Sequence, residues 1–212
     1  MRGAGPAGEV QREANVERLR RRGLRLAWFI VVWDLIEGVV AVAAGLAAGS
    51  IALVGFGIDS GIEVFAAVVV IWQLRGGAHA RIKPALRLIA ITFFVLGAYV
   101  GVEATRDLVT ADKAGESVIG IILNVVALAV MAPVAVAQRR TGRALNNSVL
   151  VAQSAETWLS NYLSASLLVG LSLNAAFGVW RADSIVALLI AAIAFHEGWK
   201  SWREAADEVG GE

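Results

Sequence analysis

Residues 51–73 read IALVGFGIDSGIEVFAAVVVIWQ, an apolar run interrupted by two acids, Asp59 and Glu63. A hydrocarbon core of roughly 30 Å takes about 20 helical residues to cross, so the run predicts a transmembrane helix. Four positions apart on such a helix, the two acids lie on one face, about 6 Å apart along the axis and roughly 40° apart around it. Two carboxylates that close repel each other when both are ionised. A shared proton or an intervening cation relieves the repulsion, so the pair reads as a site that exchanges protons for metal. On a soluble helix the same spacing would describe a solvated surface.

The rest of the chain supports a membrane setting. Of its 212 residues 58% are hydrophobic and 17% charged, a balance that disfavours a soluble fold. Apolar runs at 26–48, 51–73, 88–106, 117–137, 149–173 and 183–199 predict six spans of an all-α bundle. Polar or glycine-bearing links separate them at Gly49-Ser50, Arg75 to Pro84, Asp112 to Glu116, Arg139 to Asn147 and Gly178 to Ala182. Short links make neighbouring helices antiparallel. The first run exceeds the length of a signal-peptide core and carries Asp34 and Glu37, so it is a span and not a cleaved leader.

Every Lys and Arg except Arg106, Lys113 and Arg181 falls on one side of this arrangement. The positive-inside rule then predicts both termini in the cytoplasm of a bacterial inner-membrane protein. Three parts follow: a basic arm at 1–25, a six-helix transmembrane domain at 26–199 and a short tail at 200–212. The arginines packed at Arg18, Arg20, Arg21, Arg22 and Arg25 read as a topology signal and lipid-headgroup anchor, with no nucleic-acid partner.

Six acids fall inside the runs: Asp34, Glu37, Asp59, Glu63, Glu103 and Glu156. Each would cost about 2.5–3.5 kcal/mol at the bilayer centre, so they are expected to face inward. The fifth run offers Glu156 and Ser160 four apart, with Gln153 just before them, as a face to complete the Asp59–Glu63 site. Asp34 and Glu37 read either as a buried polar contact to Asn124 or Thr92 or as a proton path toward Asp59. The chain has no cysteine and only His79 and His196, so any metal is held mainly by oxygen.

The second run resembles the second transmembrane helix of the cation diffusion facilitators, which exchange divalent cations for protons. Ser50, Ala52 and Leu53 stand at its entrance, Asp59 and Glu63 match the two ligand positions, and Ser60 matches the Ser that often follows the first. In the fifth run Leu150, Ala152, Glu156 and Ser160 register more loosely, Glu156 for an imidazole or carboxylate and Ser160 for a carboxylate. Stretches at 162–180, Asp183 and His196-Glu197-Gly198 resemble a small bacterial branch of this group without the cytosolic C-terminal domain.

The resemblance implies a proton-coupled transporter of zinc, manganese or another divalent cation. Its metal ligands would be Asp59, Glu63, Glu156 and Ser160, with Gln153 or a water at the weak fourth position. With too few residues after the sixth run to form a domain, a homodimer would be held through the spans. A scaffold or sensor that binds metal without moving it is the alternative. Enzymatic readings lack support: there is no G-x-x-x-x-G-K phosphate loop and no Glu-x-x-His for a di-iron centre.

Three further features have ordinary structural readings. Gly45/Gly49, Gly57/Gly61 and Gly97/Gly101 allow close helix approach, chiefly within the bundle. Trp72, Trp180, Trp199 and Trp202 read as an interfacial belt, and Pro133 as a kink in the fourth run. His79 is expected in a loop, and His196 at the membrane surface beside Glu197.

Overall fold

The computed structural model describes residues 6–48, 51–76, 80–110, 118–177 and 181–207. These form α1 (Pro6–Ala48), α2 (Ile51–Arg75), α3 (Ile82–Thr110), α4 (Val118–Ala144), α5 (Ser148–Phe177) and α6 (Arg181–Asp207). Outside the described residues lie Gly49-Ser50, His79, the 112–116 link with Lys113, and Gly178 to Trp180, together with the side chains of Asn174, Arg181 and Asp183.

Among the described residues, α1, α2, α3, α4 and α6 are long and apolar enough to cross a membrane. Helix α5 is not in that set, although its 30 residues make it about 45 Å long. Its first half carries Gln153, Ser154, Glu156, Thr157, Ser160, Asn161 and Ser164. All seven are buried, so α5 keeps its polar face inside the bundle. The outside has the opposite character. Val32, Leu35, Ile36 and Val39 of α1, Val125 of α4 and Leu189 of α6 are exposed. Apolar faces turned outward around a polar interior define a helical membrane protein.

The helices pack most extensively as α1 with α2, α3 with α6 and α4 with α5. Val70, Leu86, Ile89, Phe93, Leu96 and Leu150 anchor the main core, while Ile30, Ala67 and Met131 join α1, α2 and α4. Glycine sets the tightest approaches. A Cβ on Gly57 would stand 2.9 Å from the Gly38 carbonyl oxygen, and one on Gly97 would stand 3.2 Å from that of Ala191. Gly101 faces Ala191 more loosely, and a Cβ on Gly61 would meet nothing within 4 Å. Gly57 and Gly97 therefore serve contacts within the chain, whereas Gly61 does not pack against a neighbouring helix.

One end of the bundle gathers the basic residues. Arg20 donates to the Leu74 carbonyl at 3.1 Å, satisfying a carbonyl in the last turn of α2. Arg75 stacks over Trp28, Arg81 over Trp72, Arg87 over Trp202 and Arg203 over Trp199, at 5.0–5.6 Å from the ring centroids. Indole and guanidinium groups together suit the headgroup layer. The hydropathy boundaries fall short here because helices continue beyond the apolar core. Helix α1 reaches back to Pro6, α3 begins at Ile82 and α6 continues to Asp207. In the arm, Glu17 pairs with Arg20 and Arg21 at 2.7 Å each, and these partners hold its carboxylate down at about 2.

The α4–α5 turn fixes the direction of α5. Asn146 adopts φ 50°, its amide bonds to the Arg143 carbonyl, and the Asn147 amide bonds to that of Gly142 at 2.9 Å. This is a Schellman closure with Asn in the left-handed position. Asn147 then caps α5, its Oδ1 accepting from the Leu150 amide at 2.9 Å. Its Nδ2 donates to Gln73 Oε1 at 3.0 Å, so the same residue ties the turn to α2. Helix α4 runs through Pro133 as a single element.

Candidate metal centre

Helices α1, α2 and α5 each deliver acids to one buried region. Asp34 and Glu37 come from α1, Asp59 and Glu63 from α2 and Glu156 from α5. All five are between 1% and 7% exposed. Glu63 lies within electrostatic reach of Asp34, Glu37, Asp59 and Glu156, and Asp34 lies within reach of Glu37, Asp59 and Glu156. The Gly38–Gly57 approach explains how α1 joins. It draws the two backbones together a few residues from both acid pairs.

The acids hold unsatisfied bonding capacity. Both carboxylate oxygens of Asp34 and of Glu156, and one oxygen each of Glu37, Asp59 and Glu63, are buried without a hydrogen-bond partner. Leaving such groups unmet costs on the order of 1–3 kcal/mol each, and more when charged. A ligand or a proton on each offsets that cost. Glu37 is partly held, since Trp33 donates to its Oε2 at 2.9 Å. Asp34 takes up neither Asn124 nor Thr92, the two partners considered for the α1 acids. The hydroxyl of Thr92 instead stands beside Glu156 and donates to the Ile89 carbonyl at 2.7 Å.

Ser160 faces Asp59 across the contact between α2 and α5. Its Oγ is buried beside the Asp59 carboxyl, so the hydroxyl points into the acidic region and adds a neutral oxygen to it. Gln153 serves differently: its Oε1, the atom that would ligate a cation, accepts from Gln138 Nε2 at 2.8 Å. Thr157 donates to Gln138 Oε1 at 3.4 Å. Gln153 thus fastens α4 to α5 beside the acids. Glu103 stands apart from the cluster, 32% exposed and 3.9 Å from Arg106, against the expectation that all six acids face inward. It lies in the last two turns of α3, where an ion pair and partial exposure lower the cost of its charge.

Among the described residues, no three of His, Cys, Asp or Glu stand close enough together to hold a metal ion as placed. Ligation by three of these acids would require their carboxylates to move closer together. His196 is exposed, and its neighbour Glu197 pairs with Lys200 at 3.4 Å, so neither joins the buried acids. Two polar neighbours were not anticipated from spacing: Gln138 on α4, and Asn161, whose Nδ2 donates to the Thr157 carbonyl at 2.7 Å. Gln138 stands one residue past the fourth run and Asn161 two turns after Gln153 in the fifth, and an amide at such a position was the available signal.

The fold and this interior define a helical membrane protein with an acidic centre. No protein-family model matches the chain, and no curated protein matches it.

Proposed function

We propose that the chain is a six-span divalent-cation transporter of the cation diffusion facilitator type, with both termini in the cytoplasm of a bacterial inner membrane. The observation that carries this reading is the meeting of five buried acids from three helices, seven of whose oxygens lack a partner. A purely structural role would leave those oxygens bonded. Buried acids within electrostatic reach of one another and with unpartnered oxygens suit a cation that is bound and then released.

In this reading Asp59, Glu63 and Glu156 are the principal ligands, Ser160 supplies a neutral oxygen, and Asp34 enters from α1. When the metal leaves, protons re-occupy the acids, since five charges cannot stay ionised together in a low-dielectric interior. Helix α5 is the sixth span, its polar face turned to the transport path. Rocking of the α1–α2 pair, held as a unit by the glycine contact, against the remaining helices would expose the centre to either side in turn. Zinc is the usual cargo of the resembled family, and the oxygen-rich donor set also suits manganese. A dimer would form through the outward apolar faces.

The test is flux into proteoliposomes under a pH gradient, with Zn²⁺ and Mn²⁺ measured separately. Metal movement that depends on the gradient and is lost in Asp59→Ala supports the reading. Undiminished flux in Asp59→Ala overturns the site, and saturable metal binding without flux in the wild type assigns the chain to the scaffold or sensor class instead.

A further inference from the structure

Helices α4 and α6 each pack on α5 but make little contact with each other. Between them, at the basic end, a cleft of about 430 Å³ opens with α5 as its floor. The rim carries Arg139, Arg140 and Arg143 from α4, and Glu197, Lys200 and Glu204 from α6. Further in, the wall turns apolar and aromatic with Ala155, Trp158, Leu159, Tyr162 and Ile193. From Val151 to Tyr162 the floor extends about 16 Å along the helix at 1.5 Å per residue.

The charges on the rim are uneven. Lys200 is answered by Glu197 at 3.4 Å. The three arginines are exposed, and among the described residues none of them is held in an ion pair. Of the other arginines at this end, Arg20 and Arg21 pair with Glu17, and Arg75, Arg81, Arg87 and Arg203 stack on tryptophan, whereas Arg22 and Arg25 lie on the arm and do not line the cleft. Three adjacent guanidinium groups that outnumber the acids Glu197 and Glu204 on the facing helix, and that are held in no ion pair among the described residues, suit a phosphate, which they can grip with paired N–H donors. A free anion would leave the apolar floor uncovered. An acyl chain lying along α5 would fill it, with Trp158 and Tyr162 at the junction between headgroup and chain.

We propose that the cleft between α4, α5 and α6 is a binding site for an anionic phospholipid. The phosphate lies among Arg139, Arg140 and Arg143, and one acyl chain follows the groove past Trp158, Tyr162 and Ile193. The site is separate from the acidic centre and depends only on the chain residing in a bilayer. A lipid seated there bridges α4 to α6 and braces the helices that flank α5, the helix that carries Glu156 and Ser160.

The experiment is native mass spectrometry of the full chain in detergent, titrated with phosphatidylglycerol, cardiolipin and phosphatidylcholine, and separately with glycerol 3-phosphate as a competitor. The expected result is at least tenfold tighter retention of the two anionic lipids than of phosphatidylcholine, with glycerol 3-phosphate competing poorly. Each basic residue near an anionic surface is worth on the order of fivefold in affinity, so the triple variant Arg139→Gln, Arg140→Gln, Arg143→Gln should lose at least about tenfold. The arm variant Arg2→Gln, Arg12→Gln, at positions outside the headgroup-anchoring cluster of the arm, should lose little. Ile193→Trp, which fills the groove and leaves every charge in place, should also weaken retention, and it decides the matter if the triple variant fails to fold. Equal retention of phosphatidylcholine, equal loss in the arm variant, unchanged retention in Ile193→Trp, or full competition by glycerol 3-phosphate would each overturn the proposal.

Discussion

Gly38 and Gly57 bring the backbones of α1 and α2 together so closely that a Cβ on Gly57 would stand 2.9 Å from the Gly38 carbonyl oxygen and 2.5 Å from Val42 Cγ2. Neither neighbour is the end of a long flexible chain, so relief requires the helices to separate. Gly57→Ala should therefore destabilise the bundle by about 1–3 kcal/mol, the usual cost of overpacking. It should also reduce metal binding by drawing Asp34 away from the α2 acids. Gly61→Ala, whose Cβ would meet nothing within 4 Å, should change neither. Thermal unfolding in detergent and metal titration of both variants check the contrast, and equal behaviour would show that the crossing does not hold the centre together.

Asp34 and Glu37 share a helix but differ in their bonds. Both oxygens of Asp34 lack a partner, whereas Trp33 already donates to Glu37. Asp34→Asn is therefore expected to weaken Zn²⁺ binding about tenfold or more, the cost of one oxygen ligand on the 1.4 kcal/mol-per-decade scale. Glu37→Gln should have a smaller effect. Calorimetric titration of the two variants gives the comparison directly, and the reverse order would remove Asp34 from the centre.

Ser160 presents its hydroxyl to Asp59 across the α2–α5 contact. Ser160→Asp would place a charged oxygen where a neutral one stands and should tighten Zn²⁺ binding if Ser160 faces the ion. An unaltered dissociation constant in a folded variant would mean that this turn of α5 does not contact the cation.

Metal entering a centre of crowded acids displaces whatever protons they carry. Protons should appear on metal addition in weakly buffered detergent solution, and apparent affinity should rise with pH, because fewer protons then compete. Glu63→Gln removes the acid that neighbours all four others and should lower the number of protons released per metal bound. An indicator dye measures this count, and metal binding without proton release would separate binding from proton coupling.

Asn147 caps α5 through Leu150 and reaches Gln73 on α2. Loss of a cap costs about 1 kcal/mol and the amide contact adds to that, so Asn147→Ala should lower the unfolding temperature measurably. Gln138→Leu leaves Gln153 without its partner and should act similarly, at about 1 kcal/mol. Reduced metal binding in Gln138→Leu at unchanged stability would return Gln153 to the ligand set.

The acid pair in the second run was legible as a buried site because helical spacing and lipid exclusion are local rules. Asp59 and Glu63 must share a face, and that face must turn inward. The same rules failed for Glu103. An acid near the end of a span reads like one at its centre when only the run is visible, and exposure beside Arg106 became clear only in three dimensions. They also took α5 as a span, and only the packing revealed that its first half keeps seven polar side chains buried inside the bundle.

The sequence by itself determined a helical membrane protein, a basic end and five of the acids that turn inward, because hydropathy and charge act residue by residue. Tertiary structure decided which acids meet. It assigned Asp34 to the α2 acids through a glycine crossing, diverted Gln153 to Gln138 and opened a basic cleft between α4 and α6. Each of these depends on the rotation of one helix against another, and that rotation is set by packing between residues far apart in the chain.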